Sequence, residues 1–265
     1  MLEVIDKAPL RQSGKPPLLF VHGAWHGAWC WDEHFLDFFA ARGYRSLAVS
    51  LRGHANSPAP KSMRLCSMAD LVDDVASVAD SLGEKPVVIG HSMGGCVVQK
   101  YLESHHAPGA VLLASVPPSG IALFLLRRLR RHPWLFTREL AKTRSLQGIG
   151  GTPELCREAF FSGAAREGEV ARFTARLCEE YVGRHVVDML VLNRPRPHLV
   201  SAPVLVLGAE QDTCFSVDEV HETARAYRTR AEIFPGMAHD MMLEPGWAVV
   251  AERIHGWLES RCPPG

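Results

Sequence analysis

The stretch Val87-Val88-Ile89-Gly90-His91-Ser92-Met93-Gly94-Gly95 constrains this chain more than any other. An apolar, β-branched run leads into Gly-x-Ser-x-Gly, and a helical pattern follows. That order describes a nucleophile elbow, a serine on a sharp strand-to-helix turn. Gly90 and Gly94 flank a turn too cramped for a Cβ. The turn is expected to lift Ser92 Oγ above the sheet. It also places the Met93 N–H at the positive end of the following helix, where a developing oxyanion is stabilised.

The rest of the chain supplies the frame. Short apolar runs at 18–21, 86–89 and 110–114 read as strands buried on both faces, and 44–49, 203–207 and 231–234 read as further strands. Residues 3–5 read as a further short strand. Helical spacing separates the runs. Trp31, Phe35, Phe38 and Phe39 share one apolar face. Ser67 with Asp70, and Ser216 with Glu219, have capping-box spacing. Val97, Val98, Tyr101 and Leu102 are expected to face the sheet, and Val250, Ile254 and Trp257 mark a last helix. Strands alternating with helices predict an α/β fold with a doubly wound, mainly parallel sheet.

The alternation lapses over 117–198. This stretch is expected to be a helical cap inserted after the strand near 110–114, with 1–116 and 199–265 forming the core. Within it, Ile121 to Leu126 and four arginines at 127, 128, 130 and 131 suggest a helix with one face on the site and its arginines in water. Trp134, Phe136, Phe160 and Phe161 are candidates to line an apolar pocket, or to form the cap's own small core.

A serine hydroxyl needs a base, and sites in open parallel sheets gather beyond the carboxyl ends of the strands. Of the 13 histidines, His239 stands best, in the loop after strand 231–234. The acid that orients it should lie between serine and histidine in the chain. Strand 203–207 ends in Gly208-Ala209-Glu210-Gln211-Asp212, which makes Asp212 the choice and Glu210 the fallback. A tetrahedral intermediate needs two donors. Met93 N–H is one, and Ala24 N–H, with Trp25 second, is the expected other. Trp25, His91 and Trp134 are tentative pocket residues. His22, His26 and His91 are expected to orient loops through hydrogen bonds.

The chain carries 29 basic and 29 acidic side chains, so charge offers no case for nucleic acid. Its seven cysteines show neither a Cys-x-x-Cys pair nor a disulfide framework and read as buried apolar thiols. No histidine–carboxylate spacing suggests a metal, so the expected mechanism uses no cofactor. The first residues lack the apolar core of a secretory signal, and no stretch is long enough to span a bilayer. The expected location is cytoplasmic, and the expected partner a small-molecule ester.

These motifs together resemble the α/β-hydrolase-fold serine hydrolases over about residues 17–116 and 200–260. His22-Gly23-Ala24-Trp25-His26-Gly27-Ala28-Trp29-Cys30-Trp31 is similar to the plant methyl esterase and hydroxynitrile lyase branch. Gly90-His91-Ser92-Met93-Gly94-Gly95 is similar to many esterases and monoglyceride lipases. The resemblance implies Ser92 as nucleophile, Asp212 as acid and His239 as base, and it is weak in the cap. The lyases resembling this loop carry threonine where Gly23 stands and lysine where Asp240 stands. Both departures point to ester hydrolysis. Ser92 itself points away from the epoxide hydrolase and dehalogenase branches, which use an aspartate. The expected activity is therefore serine-dependent hydrolysis of small to medium apolar carboxylic esters through an acyl-enzyme. The alternatives are non-ester chemistry on the same triad (lyase, perhydrolase or carbon–carbon hydrolase) and a non-catalytic binding module.

Overall fold

In the computed structural model, residues 1–9, 13–135, 137 and 150–261 are described. Phe136 and Cys262 lie outside them. Seven strands form one sheet: β1 (Val4–Lys7), β2 (Leu18–Val21), β3 (Ser46–Val49), β4 (Val87–His91), β5 (Ala110–Leu113), β6 (Val204–Ala209) and β7 (Ala231–Phe234). Their order is β1-β3-β2-β4-β5-β6-β7. β1 pairs antiparallel with β3, and every other pair is parallel. The expected doubly wound, mainly parallel sheet is the fold observed.

The five strands β2 to β6 are buried at every residue, which is why apolar residues dominate each of them. β2 and β4 lie side by side at the centre. From β2 the chain moves outward to β3, and from β4 it moves the other way to β5. That reversal opens a crevice beyond the strands' carboxyl ends, where ligands bind in such sheets.

Both capping boxes are formed. Ser67 caps helix Met68–Asp80 and Ser216 caps helix Val217–Ala226, each with its reciprocal carboxylate. Such caps contribute about 1 kcal/mol each. Val97, Val98, Tyr101 and Leu102 are buried, as their spacing predicts. The aromatic run after β2 forms two helices, Trp29–Asp32 and Phe35–Ala41, because His34 between them leaves the helical region (φ −148°, ψ −48°). Both still put Trp31, Phe35 and Phe39 against Phe20 of β2.

Between β5 and β6 the chain contributes helices Ala122–Arg131, Pro153–Phe160, Glu167–Thr174 and Arg184–Val187. The arginines of the first do not all stand in water as expected: Arg128 is buried beside Glu158, Arg127 pairs with Glu219 and Arg131 with Glu158, while Arg130 is exposed. The cysteines at 30, 66, 96, 156 and 214 are buried, Cys178 is half-buried, and all six are free thiols. No described helix is long and apolar enough to cross a membrane.

Candidate active site

Ser92 stands between β4 and helix Met93–Tyr101 at φ 52°, ψ −119°. Non-glycine residues rarely hold this left-handed region, and those that do cluster at functional sites. Two contacts fix the turn. Ser92 N–H donates to Leu113 O at 3.2 Å, and Val116 N–H donates to Ser92 O at 3.1 Å. The glycines serve close approach. A Cβ on Gly94 would lie 2.3 Å from His22 O, and one on Gly90 would lie 2.5 Å from Gly94 O.

Asp212 follows β6 and His239 follows β7. His239 Nδ1–H donates to Asp212 Oδ2 at 2.8 Å. Asp212 Oδ1 accepts the N–H groups of Cys214 and Phe215 at 2.7 and 3.0 Å. One carboxylate thus both orients the imidazole and caps its own loop. Glu210 instead accepts the Gly236 N–H at 2.9 Å. Burial opposes the charged form of His239, but the charge and hydrogen bond of Asp212, with Asp240 adding, outweigh it and raise its pKa above 6.5. Ser92 and His239 line one pocket. Among the described residues Ser92 Oγ makes no hydrogen bond to His239 Nε2, and such bonds are often long before substrate binds.

The loop after β2 supplies the opposite wall. Among the described residues, neither Ala24 N–H nor Met93 N–H has an acceptor. Trp25 N–H does have one, Glu180 Oε2 at 3.1 Å. Of the two candidates in this loop, Ala24 is therefore the one free to meet an oxyanion. His22 holds the loop as a neutral ring. Its Nδ1–H donates to Gly23 O at 2.7 Å and its Nε2 accepts the Leu51 N–H at 3.0 Å. Burial pushes its pKa well below 6.5.

The pocket is also lined by Val116, Ile121, Phe124, Val186, Met189 and Phe215, with a cavity volume of about 40 Å³. Trp25 belongs to this lining. Two other tentative pocket residues do not. His91 lies behind the serine, 1% exposed, and donates through Nε2–H to His239 O at 3.0 Å. Burial, then the neighbouring charges of His239 and His26, push its pKa down to about 3. Trp134 is 87% exposed, away from the pocket. Phe160 packs behind Trp25 and His239, and Phe161 stacks on Phe173.

Three further buried groups belong to the site, of which Glu180 and His185 carry no local signal in the sequence. Glu180 and His185, from the segment between β5 and β6, reach the pocket wall. Asp240 sits beneath it, 3.0 Å from His26 Nε2. Two sets of donor atoms are close enough to hold a metal: His91, His239 and Asp240, and Asp212, Cys214 and His239. The second set is a poor fit, because burial drives the Cys214 thiol well above its usual pKa and keeps it from the thiolate form. In the second set His239 Nδ1 already bonds Asp212, and in the first His91 Nε2 bonds His239 O while its Nδ1 is buried without a partner among the described residues.

Comparison with known proteins gives a consistent picture. Epoxide hydrolase 4 of Mus musculus is 25% identical over 240 residues, covering 82% of this chain and 65% of that protein. A probable esterase, PIR7A, of Oryza sativa subsp. indica is 33% identical over 115 residues, 41% of this chain and 42% of its own length. The matches thus span less than two thirds of these curated relatives. The structure of a thermophilic esterase from Thermogutta terrifontis superposes over 98% of this chain and 94% of its own, with a TM-score of 0.75 at 21% identity. A sequence profile described as the alpha/beta hydrolase family matches residues 18–253. The chain belongs to the alpha/beta hydrolase family.

Proposed function

We propose that this hydrolase cleaves short, uncharged carboxylic esters through a serine acyl-enzyme. The observation that carries the reading is the convergence, on one pocket, of Ser92, a His239–Asp212 pair and the N–H groups of Ala24 and Met93 that lack an acceptor among the described residues. In this reading Ser92 Oγ attacks the ester carbonyl as His239 Nε2 takes its proton. Asp212 holds the imidazole in the Nδ1–H tautomer and stabilises the imidazolium. The Ala24 and Met93 N–H groups bind the oxyanion, each contributing roughly 10²–10³ in turnover. The alkoxide leaves with the proton from His239. Water, activated by the same ring, then releases the acid and frees Ser92.

Substrate size and polarity follow from the pocket wall. Its lining is apolar apart from the reacting groups and the pair Glu180 and His185, whose polar atoms are engaged with each other, with His54, with Trp25 N–H and with Cys66 O. A charged acyl group would find no partner there. The cavity of about 40 Å³ is well below the roughly 150 Å³ of a cavity that admits benzene, which favours acetyl- or propionyl-sized groups. The segment 117–198 acts in this reading as the cap that sets this limit.

The test is hydrolysis of p-nitrophenyl esters from acetate to palmitate by wild type and Ser92→Ala. Turnover of the short esters that disappears in the variant is expected. Equal turnover in the two proteins, or none in either, would reject the reading.

A further inference from the structure

The peptide unit between Ala24 and Trp25 is held at both of its polar ends. Its oxygen accepts His26 Nδ1–H at 2.8 Å. Its N–H donates to Glu180 Oε2 at 3.1 Å. Each holder is itself anchored. His26 Nε2 lies 3.0 Å from Asp240 Oδ2. Glu180 accepts His54 Nε2–H at 2.9 Å and His185 Nε2–H at 3.1 Å. The Nδ1 atoms of those imidazoles lie 3.1 Å from Arg52 O and 3.2 Å from Cys66 O. Glu180, His26, His54, His185 and Asp240 are all at most 2% exposed.

This arrangement has a target. Trp25 adopts φ 65°, a left-handed conformation that a residue with a Cβ rarely keeps unaided. The plane of the Ala24–Trp25 peptide sets that angle together with ψ of Ala24. Rotation of the plane would take the Trp25 N–H off Glu180 and release the backbone on both sides of Ala24's carbonyl; the Ala24 N–H, in the preceding peptide, keeps its place only while that backbone is held. A carboxylate is suited to prevent this, since it accepts several hydrogen bonds and donates none.

We propose that Glu180 is a positioning residue for the oxyanion hole: by taking the Trp25 N–H it leaves Ala24 N–H as the loop's donor and fixes the backbone that carries it. The proposal rests on the ester-hydrolase reading. Because Glu180 comes from the segment between β5 and β6, seating that segment and completing the hole are one event.

Kinetics of p-nitrophenyl acetate hydrolysis by Glu180→Ala and Glu180→Gln test it, with active sites counted by stoichiometric fluorophosphonate labelling. Glutamine still offers Trp25 N–H an oxygen, and alanine offers nothing. In Glu180→Ala, kcat per labelled site is expected to fall about 10–100-fold, with KM within about threefold. Glu180→Gln should recover most of that loss. A merely structural role would lower the labelled fraction or the melting temperature and leave kcat per labelled site unchanged, which overturns the proposal. If alanine does not fold, glutamine still decides: a folded Glu180→Gln that loses more than tenfold per site overturns it. Hydrogen exchange over residues 22–29 gives the comparison without turnover. Exchange should be faster in Glu180→Ala, and unchanged exchange again overturns the clamp. Failure of wild type to label or to turn over counts against the ester reading alone, and the exchange measurement still decides the clamp.

Discussion

Gly23 lies so close to Ser92 that a Cβ placed on it would stand 2.9 Å from the serine's own Cβ, and 2.9 Å from His91 Nδ1. Neither neighbour is a flexible side-chain end. Ser92 is fixed by its turn, and His91 is held by its bond to His239 O. Gly23→Ala should therefore displace the nucleophile by a few tenths of an ångström. We expect kcat/KM for p-nitrophenyl acetate to drop at least tenfold, since small misplacements of reacting groups are costly. Gly23→Thr should be worse, and should not gain cyanohydrin cleavage. A Gly23→Ala enzyme as active as wild type would show that the turn yields freely.

The raised pKa of His239 has a kinetic sign. The base must be neutral, so kcat/KM should rise with pH along an acid limb whose apparent pKa lies above 6.5. Asp212→Asn removes the charge that raises it and disfavours the required tautomer. Turnover is expected to fall by about 10²–10⁴, and the acid limb to move to lower pH. An unshifted limb in that variant would assign the titration to another group.

Acid should weaken the fold before it reaches the carboxylates. His22 and His91 are buried neutral, with pKa values depressed below 6.5, that of His91 to about 3. A depressed folded-state pKa means that the unfolded chain binds more protons below pH 6.5. The stability these groups contribute is thus full above 6.5 and lost as pH falls toward the folded-state value. Each costs about 1.4 kcal/mol per pH unit in that window. His54 and His239, whose pKa values are raised, act at higher pH and are already saturated there. Urea unfolding at pH 7.0, 6.0 and 5.0 should show a midpoint that declines steadily. A flat midpoint would mean that these rings are solvated.

Met189 lines the pocket while Trp134 stands 87% exposed. Met189→Ala should widen the cavity and favour butyrate over acetate by about tenfold relative to wild type. Trp134→Ala should leave the chain-length profile within twofold of wild type. The reverse pattern, measured on the same ester series, would relocate the acyl site.

What the sequence disclosed and what it withheld divide along physical lines. Strands buried on both faces announce themselves as apolar runs, and the elbow is specified within six consecutive residues. Ser92 and Asp212 could be proposed because each ends or follows such a run, and His239 because it follows the last strand, which is half-buried. Trp134 was placed at the pocket on its residue type, but an aromatic side chain in a sequence has no direction. His91 misled differently. It adjoins the serine, yet its ring is 1% exposed and is spent on the backbone, bonding His239 O through Nε2. Glu180 offered no signal at all. Its partners His54 and Trp25 lie 126 and 155 residues away, and only the folded chain brings them together.

The six free thiols of the described residues have a practical consequence. Burial raises the pKa of Cys66, Cys96 and Cys156 to about 12 and of Cys178 to about 11, and holds those of Cys30 and Cys214 well above the usual thiol value. Thiolates, the reactive species toward disulfide reagents and alkylators, are therefore scarce at these sites while the fold is intact and common once it opens. The molecule carries its own clock for unfolding: the rate at which these thiols become titratable reports how often the interior is exposed, with no label added and the serine untouched.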